Sequence, residues 1–155
     1  MKSHFLAASV AVLAVAFASA PAIASDKTDV MAVVTKAVAD FNKGDAKGWA
    51  AACADQTSII DNIPPYRWDG AGACSAWWNA YQAGAKTGGI TEGAVKIAKV
   101  RHAEVTGDSA YVVLTANYSD KQKGKPTAEN GSSFALVLNK SATGWQIISW
   151  SWAAK

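Results

Sequence analysis

From Asp29 the chain repeats its apolar side chains at a helical interval. Val30, Val33, Val34, Ala37, Val38 and Phe41 fall on one stripe, so the pattern predicts a helix laid against a core. Lys43 and Gly44 close it, as a cation and a permissive residue should at a helix end. Asp45 then serves as the cap of a second, short helix whose inner face is Ala46, Trp49, Ala50 and Cys53. At Thr57 the rhythm changes. The β-branched run Thr57 to Asn62, bounded by Pro64-Pro65, predicts a strand followed by an extended turn. A third helix starts near Ala71, carries Cys74, Trp77, Trp78, Tyr81 and Ala85 on one side, and stops at Gly88-Gly89.

The remainder reads as strands: Ala94 to Val105, Tyr111 to Tyr118, Ser132 to Asn139 and Trp145 to Trp152. Short turns at Gly107-Asp108, Gly124-Lys125 and Thr143-Gly144 suit antiparallel hairpins, and Asn130-Gly131 suits a bulge where a long strand bends. Three helices ahead of such a run define an α+β protein in which the helices cover one face of a curved antiparallel sheet. Strict alternation puts Val112, Leu114 and Ala116 opposite Tyr111 and Val113, and Ile148, Trp150 and Trp152 opposite Ile147. Both faces then carry apolar side chains, and a second copy of the sheet is the simplest cover for the outer one.

Other features narrow the setting. Lys2 and His4 precede an apolar segment from Phe5 to Phe17, and Ala22-Ile23-Ala24 is a small-x-small cleavage signal, so residues 1–24 read as a signal peptide and 25–155 as one exported domain, periplasmic or secreted. The apolar segment is too short for a spanning helix of about 20 residues, which leaves no membrane span after cleavage. A net charge of +3 is too slight to suggest a nucleic-acid partner. The basic run from Lys121 to Lys125 reads as a solvated hairpin tip. Export favours a Cys53–Cys74 disulfide over two buried thiols; its closed loop predicts roughly 3 kcal/mol of stabilisation. With His102 the sole histidine of the mature chain, and no Cys or His pair at ligand spacing, the expectation is no metal and no cofactor.

The stretches DFNKGDAKGWAAACADQTSIIDN and WDGAGACSAWWNAY, in this order of elements, resemble the nuclear-transport-factor-2-like superfamily and within it the SnoaL-like domains. The resemblance spans about Asp29 to Ala153. It implies a cone: a strongly bent sheet around the helices, an apolar cavity at the open end, and dimers through the sheet. It also implies a role for Asp61, since members similar to ketosteroid isomerase end the strand after the second helix in a general-base carboxylate. A carboxylate at an apolar mouth is poorly solvated, its pKa rises, and it can take a proton from a carbon acid. The rest of the isomerase pattern is missing: the expected tyrosine is Ala37, and the expected acid falls near Ser133 or Phe134.

Each candidate also has a structural reading. Asp61 is either a base or an acid that accepts backbone N–H groups in the following turn. His102 is either its proton-carrying partner or a surface histidine beside Glu104, with alternation placing it on the face of Val100. Tyr66, Arg67 and Trp68 form a lid or an ordered loop, and Arg67 suits an acidic ligand. Trp49, Trp77 and Trp78 read as core, Trp150 and Trp152 as cavity or dimer lining. The candidate ligand contacts are Phe41, Tyr66, Arg67, Trp78, Tyr81, Asn117 and Trp150. Three functions stay open: an exported pocket protein for a small, largely apolar molecule, a lyase or isomerase using Asp61 with His102, and a structural module that dimerises.

Overall fold

The computed structural model describes residues 20–155, with side chains from Asp26 onward; most of the expected signal peptide lies outside the described residues. The elements are α1 (Ala20–Lys43), α2 (Ala46–Ala51), β1 (Cys53–Ile60), β2 (Arg67–Ala71), α3 (Ala73–Gly88), β3 (Ile90–Thr106), β4 (Ser109–Gln122), β5 (Lys125–Ser141) and β6 (Gly144–Ala153). They form one six-stranded sheet in the order β2-β1-β6-β5-β4-β3. Every pairing is antiparallel except β1 with β6, which run parallel. Among the described residues no helix is long and apolar enough to cross a membrane.

The helical stripe of α1 is buried as its spacing requires, with Val30, Val34, Ala37, Val38 and Phe41 all in the core. Gly44 ends the helix at φ 72°, and Asp45 caps α2 by accepting from the Gly48 N–H at 2.9 Å. Asn42 then ties α1 to the sheet edge, donating to the Val95 carbonyl (2.8 Å) and accepting from the Val95 N–H (2.7 Å). These two hydrogen bonds satisfy backbone groups of an edge strand that would otherwise face water.

Several boundaries differ from the sequence expectation: β3, β4 and β5 begin at Ile90, Ser109 and Lys125, ahead of the expected Ala94, Tyr111 and Ser132, and α3 begins at Ala73. Cys53 starts β1 instead of closing α2, because α2 lasts only six residues. Arg67 and Trp68 belong to β2, a short strand paired with β1 through Ile60↔Arg67 and Ile59↔Trp68, so this segment is sheet and not a lid. Cys53 and Cys74 form a disulfide with Cα atoms 6.6 Å apart, joining β1 to α3.

Bulges decide which side chains face inward. On β4 the alternation is unbroken: Ala110, Val112, Leu114, Ala116 and Asp120 are all buried. On β5 the partners of Ala116 and Asn117 are Ser132 and Asn130, leaving Gly131 (φ 83°) as an extra residue. Ser132, Phe134, Leu136 and Leu138 therefore face the core beyond it, whereas Thr127 and Glu129 share the inward face before it, opposite Asp120 and Tyr118. A second bulge at Ile148 brings Ile147 and Trp150 to the same buried side, in place of the opposite faces that strict alternation assigns them.

Candidate functional site

The aromatic face of α3 meets α1, α2 and β6 in a continuous cluster. Trp77 lies 5.0 Å from Trp49 and 4.9 Å from Trp150 between ring centroids, and Phe41 packs 5.1 Å from Tyr81. These large rings, each removing on the order of 200 Å² from water, wall one side of a hollow instead of filling it. The hollow has a volume of about 900 Å³ and lies between α3 and the hairpin end of β4 and β5. Its innermost wall is Phe41, Trp49, Trp77, Phe134 and Trp150, and its rim consists of exposed residues such as Asn62, Pro64, Thr87 and Gln122.

Asp61 is the first polar group of this cavity. It follows the last residue of β1, is 9% exposed, and accepts a hydrogen bond from the Trp77 indole at 2.8 Å. Burial pushes its carboxyl above the ordinary carboxylate range, and the nearby Glu129 adds to the rise. The Trp77 bond and the backbone N–H groups of Asn62 and Ile63 pull the other way. Asp61 thus both faces the hollow and anchors the turn that follows it.

Further polar groups come from β4 and β5. The hydroxyls of Tyr81 and Tyr118 meet at 3.0 Å. Burial raises the pKa of both, and for Tyr118 the Tyr81 hydroxyl and Asp120 add to the shift. The pair rests on Gly93, where a Cβ would stand 2.1 Å from the Tyr81 hydroxyl and 2.7 Å from that of Tyr118. Only glycine leaves room for them there. Asp120, 6% exposed, accepts from the Thr127 hydroxyl. Glu129 accepts from the Ser132 hydroxyl and, at 3.0 Å, from the Trp152 indole.

Of the residues singled out in the sequence, Asp61, Phe41, Tyr81, Trp150 and Trp152 line the cavity, and Trp49 and Trp77, expected as core, form part of its wall as well. Trp78 is buried behind it, 5.8 Å from Phe41. Asn117 accepts from the Gly131 N–H at 3.0 Å and so pins the bulge. Tyr66 is 59% exposed, and Arg67 pairs with Asp69 at 2.5 Å on β2, away from the hollow. His102 stands apart from Asp61: it pairs across the sheet with Val113, contacts Glu104 at 3.1 Å, and packs at a tilt 5.8 Å from the exposed Tyr111 ring. The register slips between Val100 and His102, so Arg101 is an extra residue and the two do not share a face. Tyr118, Asp120, Thr127 and Glu129 escaped the sequence reading. Extending the Val112, Leu114, Ala116 alternation past Tyr118 finds the first two, and the Asn130-Gly131 bulge, with its change of parity, finds the others.

Residues 30–152 match the SnoaL-like domain. The chain belongs to that family. No curated protein is significantly similar to it. A protein of unknown function from Mycobacterium tuberculosis superposes with a TM-score of 0.73 at 14% identity, covering 90% of this chain and 78% of its own. A ketosteroid isomerase-like protein from Erwinia carotovora atroseptica gives 0.67 at 19%, covering 83% and 95%. An NTF2-like protein with a cystatin-like fold from Novosphingobium aromaticivorans gives 0.69 at 14%, covering 88% and 86%. At these identities the likeness shows the fold. The SnoaL-like family and the NTF2-like cone thus agree with the bent sheet seen here.

Proposed function

We propose that this SnoaL-like domain binds one small, largely apolar molecule in its cavity, in a compartment outside the cytoplasm. The observation that carries the reading is the hollow: about 900 Å³, walled mainly by aromatic rings, with a few convergent polar groups. The Cys53–Cys74 bond supports the oxidising compartment that the signal peptide implies. Titration with the neutral fluorescent probe N-phenyl-1-naphthylamine is expected to saturate at one per chain. Gly84 lies on α3 at the cavity with open space at its Cβ position. Gly84→Leu is therefore expected to weaken the probe at least about fivefold while adding about 0.8–1 kcal/mol of helix stability. A chain that binds neither this probe nor any other apolar molecule of its size overturns the reading.

A second reading is a lyase or isomerase with Asp61 as general base. It is favoured by the buried carboxyl of Asp61 with its raised pKa, and by the Tyr81–Tyr118 hydroxyls, which stay protonated donors facing the same space. In this version the tyrosine pair replaces His102 as the acid. Loss of turnover in Asp61→Asn, with His102→Ala unaffected, is the expected pattern for any substrate found. As for assembly, the outward face of β3 and β4, with Tyr111 48% exposed beside Val113 and His102, is where a second copy is proposed to pack. Light scattering at micromolar concentration reads it out, and a monomer removes it.

A further inference from the structure

We infer that the cavity selects an organic cation, an ammonium or quaternary ammonium group carried on an apolar body. This inference rests on the pocket reading above and adds the ligand's charge. The walls hold three carboxyl groups, Asp61, Asp120 and Glu129, and no lysine, arginine or histidine. All three accept hydrogen bonds from neutral donors: the Trp77 indole, the Thr127 hydroxyl, and the Ser132 hydroxyl with the Trp152 indole. None takes part in an ion pair among the described residues, although four lysine or arginine pairs with carboxylates form elsewhere among them. Negative charge in a sheltered, low-dielectric space without a counter-charge is costly, and a cationic guest supplies what the chain omits.

The shape of the site points the same way. Asp61 follows β1, Asp120 stands on β4 and Glu129 on β5, so the carboxyl groups enter the cavity from three strands and suit a guest with an extended body. Between them stand the faces and edges of Phe41, Trp49, Trp77, Tyr81 and Trp150. Ring faces attract cations, most of all where water is excluded, and tryptophan does so best. An anionic guest would meet acidic groups and no cation, and a neutral one would leave them without a counter-charge.

The test uses the full mature domain and three probes that share one ring: (2-naphthylmethyl)trimethylammonium, 2-naphthylmethanol and 2-naphthoate, each titrated by calorimetry at pH 7. The ammonium is expected to bind at least about tenfold more tightly than the alcohol, with the naphthoate weakest. Asp120→Asn with Glu129→Gln is expected to cut the ratio of ammonium to alcohol affinity at least about fivefold, a ratio insensitive to a general loosening of the fold. If the alcohol or the naphthoate binds as tightly as the ammonium, the cation inference falls and the pocket reading stands. An unchanged ratio in the double variant also overturns it. If none of the three binds, the cation inference falls, and the pocket reading falls with it if N-phenyl-1-naphthylamine also fails to bind.

Discussion

Strands β4 and β5 pair along their whole length, yet their two ends do opposite things. At one end Val112, Leu114, Leu136 and Leu138 are buried with almost no exposure and make a solid core. At the other end the same inward positions carry Tyr118, Asp120, Thr127 and Glu129, and a hollow stands in front of them. One bulged residue, Gly131, separates the two halves and resets which side chains point inward; beyond that the difference is in side-chain chemistry. Aliphatic side chains close a space because contact is their only gain, whereas hydroxyl and carboxyl groups hold to one another along the wall and leave the middle open. The contrast shows that a cavity in this fold is specified by what is denied to it.

The strongest challenge to that division is a cavity made in the solid half. Leu136→Ala is expected to destabilise the protein by about 2–5 kcal/mol in urea unfolding, whereas Tyr118→Phe, which removes one hydroxyl from the hollow half, should cost about 1 kcal/mol. Equal costs would mean that the two halves are packed alike. Next in size is the Cys53–Cys74 link, which anchors the aromatic wall of α3 to β1. Replacing both cysteines by alanine should cost roughly 3 kcal/mol, with unfolding midpoint as the readout. Gly93→Ala comes third: its methyl group must displace the tyrosine hydroxyls, at about 1–3 kcal/mol, and probe binding should weaken with it. A crystal structure of that variant with the Tyr81–Tyr118 contact intact would contradict the assignment.

The smallest expected effect is a pH dependence. Because burial raises the Asp61 pKa, the folded state keeps this proton after the unfolded chain has released it near pH 4. The resulting stabilisation is complete below pH 4 and is lost as pH climbs through the raised value. Thermal midpoints of the native protein should therefore fall relative to those of Asp61→Asn between pH 4 and 7. A constant difference over that range would show that Asp61 ionises as freely in the fold as outside it.

Much of this division was legible in the sequence. The helical stripe from Val30 to Phe41, the aromatic face of α3 and the inward set on β4 depend only on unbroken period, and periodicity reports them faithfully. Asp61 was legible because the family resemblance puts a carboxylate at the end of the strand after the second helix. The positions of His102, Ile147 and Trp150 were not, since each lies next to an inserted residue, Arg101 or Ile148, that reverses the alternation. Arg67–Ala71 hid as a loop: only Trp68 of its five residues is buried, and its pairing with β1 is set by the turn before it and not by any pattern of its own. The tyrosine pair was invisible for a different reason. Tyr81 and Tyr118 are 37 positions apart, and the gap that admits them is an absent side chain at Gly93.

The extra residue at Gly131 has a consequence for how such pockets change over generations. Deleting that single codon would rotate the first stretch of β5 by half a turn, turning Ala128 and Asn130 toward the cavity and Thr127 and Glu129 toward solvent, while Leu136 and Leu138 kept their seats. The taste of the chamber can therefore be rewritten by one insertion or deletion, with no substitution anywhere in the part that folds it.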